Sequence, residues 1–119
     1  MNFSRQAKNN FLVLANTLFF SSKLLKQVAL NIELSSSEWW WAVLVPFVIL
    51  IHFLPTKNSS LITLRDAALF LATGGVIGIT AGTLLSGGQA ILLEWVSLAV
   101  GVGAAILHYS PSRNDKYLA

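Results

Sequence analysis

Apolar residues are concentrated in three long runs, which are separated by short polar segments. The runs cover residues 37–55, 61–85 and 90–109. A helix needs about 20 mostly apolar residues to cross the hydrocarbon core of a bilayer. The pattern therefore predicts three membrane-spanning helices. Pro46 predicts a kink inside the first of them, and Pro55 predicts its end.

The N-terminal segment that precedes these runs follows a different pattern. Apolar positions recur with helical spacing between residues 11 and 32, while Asn16, Lys23 and Gln27 fall on the other side of the same helix. The segment is rich in basic residues and almost free of acids. These features predict an amphipathic helix that lies in the membrane interface. The alternative is that residues 11–30 insert as a fourth span.

Small residues recur at every fourth position in the second and third runs. The two rows are Gly74, Gly78 and Gly82, and Ser97, Gly101 and Ala105. Residues four apart lie on one face of a helix, and small side chains there allow the close backbone contact by which helices associate in lipid. The rows predict that the last two helices pack as a tight antiparallel hairpin around the short turn 86–89. Contact with a second copy or with a larger membrane complex is the alternative.

Together these patterns predict the fold class and its divisions. We expect an all-α integral membrane protein with a single transmembrane domain. Its predicted parts are an N-terminal segment with the amphipathic interfacial helix over 1–36, a three-helix transmembrane domain over 37–110, and a polar C-terminal tail over 111–119.

The composition agrees with a membrane setting. Of the 119 residues, 55% are hydrophobic and 11% are charged, whereas soluble domains have about 25% charged residues. The sequence contains no cysteine, which excludes disulfides, thiolate nucleophiles and cysteine-based metal sites. The net charge is +3, and the basic residues are scattered along the chain. This distribution favours contact with anionic lipid headgroups over nucleic-acid binding, which needs a clustered basic patch.

The distribution of basic residues leaves the orientation in the membrane undecided. Four lie on each side of the predicted three-span topology: Arg5, Lys8, Lys23 and Lys26 on one side, and Lys57, Arg65, Arg113 and Lys116 on the other. The positive-inside rule therefore selects neither direction. The sequence is compatible with the inner membrane of a cell and with an organelle or thylakoid-type membrane.

Four polar residues are predicted to lie together at one end of the helices. They are His52, Arg65, Asp66 and His108. Placement at the water interface explains them simply, because charged groups cost little energy there. One alternative is a shared cofactor site in which both imidazoles ligate a haem iron or a chlorophyll magnesium. Proton handling is another.

Glu94 is predicted to lie one helical turn inside the opposite end of the third run. At that depth it is either an interfacial carboxylate or a contact to a partner or a proton site. Aromatic side chains are predicted to form interfacial belts at headgroup level. They are Trp39, Trp40, Trp41, Trp95 and Tyr109.

The sequence favours a non-enzymatic function, because it contains no nucleophile elbow, phosphate loop or metal-binding motif. The leading hypothesis is an accessory or structural subunit of a larger membrane complex, with the lipid bilayer and other membrane subunits or itself as partners. The alternative is a pore-forming or small transport oligomer of the holin or channel type. A third hypothesis is a haem- or chlorophyll-ligating membrane subunit.

Overall fold

The computed structural model describes residues 4–87 and 91–109, in which it contains helices and no strand. The helices are α1 (Arg5–Leu24), α2 (Ser36–His52), α3 (Ser59–Leu85) and α4 (Leu92–Tyr109). A π-helical turn, Leu25–Ala29, extends α1. The predicted tail 111–119 and the residues Gly88 and Gln89 of the predicted turn lie outside the described residues.

Polar side chains define several of the helix ends. At the start of α1 the Ser4 hydroxyl accepts a hydrogen bond from the Ala7 amide at 3.1 Å. At the start of α3 the Asn58 side chain accepts hydrogen bonds from the next helical amides. Such caps satisfy amides that have no partner within the helix. After the π-helical turn, Asn31 adopts a φ of 54°, which asparagine tolerates better than most residues and which ends the helix.

The helices form an antiparallel bundle in which α1 has a central place. It packs against all three other helices, and most extensively against α4. Its C-terminal end lies beside the first turns of α2 and α4, where Lys23 pairs with Glu38 and Glu94. At its other end Asn9 lines a cleft together with Asp66 of α3. Therefore α1 and α3 run in one direction, and α2 and α4 run in the other.

The predicted three-span topology with a separate N-terminal helix is not confirmed, because α1 is part of the bundle. Its predicted apolar stripe faces outward: Phe11, Leu14 and Val28 are 37%, 44% and 74% exposed. Two residues of its predicted polar side, Asn16 and Lys23, face inward and are buried, whereas the third, Gln27, is exposed. This arrangement is the reverse of a helix on the surface of a soluble protein. It is possible here because the buried polar groups find partners on the other helices.

Two helices, α3 and α4, are long and apolar enough to cross a membrane. Within the apolar 18-residue segment of each helix, only 28% in α3 and 22% in α4 is buried inside the protein. The helix α2, which contains Pro46, is shorter at 17 residues. Large apolar side chains point away from the bundle on all of these helices, as with Phe47, Leu71 and Ile106, which are 60%, 70% and 66% exposed. The outer surface is therefore strongly apolar.

The interior contains two separate apolar clusters. Leu12, Leu69 and Ala104 form the first, where α1, α3 and α4 meet. Phe19, Val45 and Val76 form the second, where α1, α2 and α3 meet. Each cluster joins three helices, and both α1 and α3 contribute a residue to each cluster.

The predicted contact through the row of Gly74, Gly78 and Gly82 is not the contact between α3 and α4. These three glycines are exposed, and a Cβ added at any of them would meet no described atom within 4 Å. The spacing of four was enough to place them on one face, but the face points outward. Contact of this face with a second copy or another protein stays a prediction.

Two other glycines do require close packing. A Cβ added at Gly75 would overlap the Trp41 indole, and a Cβ at Gly101 would lie 3.1 Å from Ile77 Cγ1 and 3.9 Å from the Ala15 Cβ. The second row thus faces α1 as well as α3. In that row Ser97 and Gly101 are buried and Ala105 is half-buried.

Candidate functional site

Four ionisable side chains meet in the interior near one end of the bundle. They are Lys23 of α1, Lys26 of the π-helical turn, Glu38 of α2 and Glu94 of α4, and they are called the charge cluster below. Each of the four residues is at most 5% exposed, with values of 1%, 2%, 4% and 1%. The cluster therefore connects three helices through groups that are cut off from water.

The lysines lie between the two carboxylates. The Lys23 ammonium donates to the Oε2 atoms of Glu38 and Glu94, each at 2.6 Å. The Lys26 ammonium donates to the same two atoms at 3.3 Å, and it is 3.2 Å from Glu94 Oε1. Two positive and two negative charges balance, so the cluster is neutral as a whole. Its Lys23 ammonium also lies 5.0 Å from the centre of the Phe19 ring, within the range of a cation–π contact.

The two glutamates are held in the same way. Both lie in the first turn of a helix, where the helix dipole favours a negative charge. The Glu38 Oε1 accepts a hydrogen bond from the Ser35 amide at 2.9 Å, and the Glu94 Oε1 accepts one from the Ile91 amide at 3.0 Å. The Ser35 hydroxyl in turn accepts from the Glu38 amide, which completes a capping box. In each glutamate Oε1 thus caps the helix while Oε2 binds both lysines. In Glu94 the capping oxygen Oε1 also lies 3.2 Å from the Lys26 ammonium.

Burial determines how the charge cluster affects the stability of the bundle. Removing water from charged groups costs several kcal/mol per ion, which mutual attraction and hydrogen bonds offset. The charge cluster has both, so it is stable when complete. Loss of any one member leaves an unbalanced charge in a low-dielectric interior. The cluster therefore links α1, α2 and α4 in an arrangement that depends on all four side chains being present.

A groove of about 820 Å³ opens beside the charge cluster. Lys26 and Glu38 belong both to the cluster and to the groove wall, and the opposite wall includes Gly78, Gly82 and Thr83 of α3. The groove thus connects the exposed glycine face of α3 with the buried charges.

Further polar side chains are buried along the bundle. The Asn16 side-chain amide donates to the Leu12 carbonyl at 2.7 Å and to the Thr73 hydroxyl at 2.8 Å. Three buried oxygens have no hydrogen-bond partner among the described residues: Asn16 Oδ1, Thr80 Oγ1 and Ser97 Oγ. Orphaned buried polar atoms are rare in native proteins, so they call for an explanation.

At the opposite end, the structure brings together three of the four residues of the predicted polar cluster. The His52 Nδ1 lies 4.0 Å from Asp66 Oδ1. The Arg65 guanidinium donates to the carbonyls of Ile51 and Leu54 at the end of α2. These three side chains line a second cleft of about 310 Å³.

His108, the fourth residue of that predicted cluster, lies at the same end but has other neighbours. Its ring stacks on Phe70 with the ring centres 4.2 Å apart, and it contacts Tyr109 edge to face. Lys8 lies in the first turns of α1, at this same end of the bundle. Lys8, which is itself buried at 5% exposure, was not among the predicted site residues.

The predicted belt residues divide into two groups. Trp39, Trp40, Trp95 and Tyr109 are exposed. Trp41 instead packs inward, where its indole N–H donates to the Ala72 carbonyl of α3 at 3.1 Å. Trp41 is therefore a contact between α2 and α3.

The sequence indicated only one member of the charge cluster, Glu94, as a site residue. The signals for the others were present. Ser35 and Glu38 have the spacing of a capping box, which predicts that Glu38 begins a helix. Lys23 and Lys26 are three residues apart, which places them on one helical face. What the pattern could not show is that this face points inward.

Among the described residues no group of three or more histidine, cysteine, aspartate or glutamate side chains is arranged to hold a metal ion. Comparison with known proteins found no matching family model, no matching curated protein and no matching solved structure. Inference about function therefore has to rest on the residues and geometry described above.

Proposed function

We propose that the chain is a membrane-embedded, non-enzymatic subunit of a larger membrane assembly. The outward surface of the bundle carries this proposal. Apolar side chains cover that surface, and one face of α3 presents the open glycines Gly74, Gly78 and Gly82. In lipid, small residues on a helix face allow another helix to approach closely, and van der Waals contact between the backbones then stabilises the pair.

The inverted orientation of α1 supports insertion of the whole bundle. A helix that turns Asn16 and Lys23 inward and Leu14 and Val28 outward is stable where the surroundings are less polar than the interior. A bilayer provides such surroundings. We therefore include α1 and α2 with α3 and α4 among the embedded helices, although α2 needs its flanking residues to reach across.

The absence of cysteine makes site-specific cross-linking a direct test. Gly78→Cys would place a unique thiol on the glycine face. Gly103→Cys is the matched control, because Gly103 is also a helical glycine with open space around it, but it lies on α4. In membranes of the native cell, a thiol-reactive cross-linker should join the chain to another protein from position 78 and not from position 103.

A second pair of variants tests whether this contact holds the assembly together. Gly78→Leu should abolish co-purification of the cross-linked protein after gentle solubilisation, whereas Gly103→Leu should preserve it. Both variants should leave the bundle itself intact, since a Cβ added at either glycine would meet no described atom of another helix within 4 Å. Adducts that contain only a second copy, or equal adducts at both positions, would reject the proposed role as a subunit of a larger assembly.

A further inference from the structure

Contacts between helices show which interior residues lie at the same height along the bundle axis. Residues at one height are called a level below. The charge cluster forms the level at one end. In the middle, Asn16 of α1 is hydrogen-bonded to Thr73 of α3. Gly101 of α4 reaches the same level, because a Cβ there would contact the neighbouring Ala15. The middle of the bundle thus has a polar level of its own.

Polar atoms also lie between these two levels. Ser97 lies on α4 between Gly101 and Glu94, one helical turn from each end of that interval. Thr80 lies on α3 two turns beyond Thr73, in the direction of the charge cluster. Both hydroxyls are completely buried and have no hydrogen-bond partner in the described part of the chain. Buried polar atoms of this kind are usually satisfied by internal water.

The second apolar cluster joins α1 to α2 and α3 along this interval. Phe19 shares the level of Ser97, because it lies on α1 between Asn16 and Lys23. Its cluster partners come from α2 and α3 and not from α4. On the α4 side the level therefore contains the Ser97 hydroxyl.

One level is different, because all three of its interior positions are apolar. There Leu12 packs against Leu69 and Ala104. One turn further along α1 the interior becomes polar again with the buried Lys8, and His108 lies at the same end of the bundle, in the last turn of α4. This apolar layer thus separates two polar regions. The first borders the groove through Lys26 and Glu38, and the second lies at the end of the bundle that holds the cleft lined by Asn9 and Asp66.

From this arrangement we propose that the bundle interior is a proton path, and that the layer of Leu12, Leu69 and Ala104 is its gate. A proton taken up from water at the groove passes along water held by the buried hydroxyls and amide, and water at the opposite end accepts it. No group is consumed. The apolar layer stops the water chain, as hydrophobic constrictions do in channels. This activity goes beyond the proposed subunit role and does not depend on it.

The test is proton entry into liposomes that contain the purified full-length chain and a trapped pH-sensitive dye, driven by a potassium diffusion potential. Leu12→Ser should raise the rate about tenfold, which corresponds to a barrier lowered by about 1.4 kcal/mol. Val45→Ser is the matched control: Val45 is also completely buried, but it belongs to the other apolar cluster. Its rate should stay at that of the unmodified chain. If Leu12→Ser does not fold, Leu69→Ser opens the same layer from α3.

A further pair of changes separates a defined path from a general packing defect. Thr80→Val and Ser97→Ala, added to Leu12→Ser, should return proton entry to the unmodified rate. They should not lower thermal stability, because the hydroxyls they remove have no hydrogen-bond partner among residues 4–87 and 91–109. Equal leakage through Leu12→Ser and Val45→Ser would overturn the proposal. So would unchanged leakage after removal of the two hydroxyls, or a folded gate variant that leaks no faster than the unmodified chain.

Discussion

The two ends of the bundle gather ionisable groups in different ways. In the charge cluster every member is buried, and the nitrogen–oxygen distances run from 2.6 to 3.3 Å. At the other end His52 and Asp66 are half-buried and 4.0 Å apart. Exposed ion pairs contribute little because water screens them, whereas breaking a buried pair leaves a charge without compensation. The same residue types therefore have different consequences at the two ends.

The two ends differ because their ionisable side chains come from different parts of the helices. At the cluster end, two helices begin with a glutamate and one helix supplies both lysines from a single face. At the other end Arg65 uses its guanidinium to bind backbone carbonyls at the end of α2. That contact holds the α2–α3 connection but does not join α1 to α4. The charge cluster is the part of the structure that unites the bundle electrostatically.

The largest expected effect is at Glu94. Glu94→Gln removes one of two negative charges and leaves the buried lysines in excess, which should cost about 3–5 kcal/mol of unfolding free energy. Asp66→Asn is the control at the opposite end, and it should cost less than Glu94→Gln, because the Asp66 side chain is more exposed to solvent and lies 4.0 Å from His52. Unfolding in mild detergent, followed by circular dichroism, measures both. Equal losses would contradict the contrast between the two ends.

A charge-balanced variant sharpens this result. Lys26→Met combined with Glu94→Gln leaves Lys23 and Glu38 as a neutral pair 2.6 Å apart. The double variant should be more stable than Glu94→Gln alone, because the excess positive charge is gone. The same unfolding experiment gives the coupling between the two sites. A double variant as unstable as the sum of the two single variants would show that charge balance is not what stabilises the cluster.

The cluster end also depends on the position of α2, since α2 carries Glu38. Gly75→Ala should displace the Trp41 indole from α3 and cost about 1–3 kcal/mol through overpacking. Gly78→Ala, three residues away in open space, should leave stability unchanged or raise it slightly, because alanine favours the helix. Thermal unfolding of the two variants in parallel checks this. A larger loss at Gly78 would show that α3 packs through its other face.

A smaller effect is expected from the hydrogen bond at the same contact. Trp41→Phe keeps an aromatic ring but removes the indole N–H that donates to the Ala72 carbonyl. The loss should be about 0.5–1.5 kcal/mol, the usual net contribution of one hydrogen bond. Trp40→Phe is the control, because Trp40 is 76% exposed. If both variants lose the same stability, the inward contact of Trp41 is not significant.

Much of the helical content could be predicted from the sequence, because long apolar runs and proline positions are local signals. The direction in which a helix faces is not a local signal. For α1 the helical spacing placed Asn16 and Lys23 on one side, and both are buried, but whether that side faces water depends on what surrounds the bundle. The same limit applies to the glycines. A spacing of four identified the face of Gly78, while Gly75, which has no such repeat, is the position where another helix comes closest.

The residues of the charge cluster show why a site of this kind is difficult to predict. Its members are separated by up to 71 positions along the chain, and each has an ordinary explanation alone. A lysine near a helix end and a glutamate in a first turn are both common. They come together only because the C-terminal end of α1 lies beside the first turns of α2 and α4, which requires α1 to be part of the bundle.

The direction of the four helices has a practical consequence for topology experiments. Since α1 starts and α4 finishes at the same end of the bundle, reporters fused to the two extremities of a fully inserted chain would face the same compartment. Three crossings would place them in opposite compartments. An impermeant labelling reagent added to intact cells would thus modify both fusions or neither.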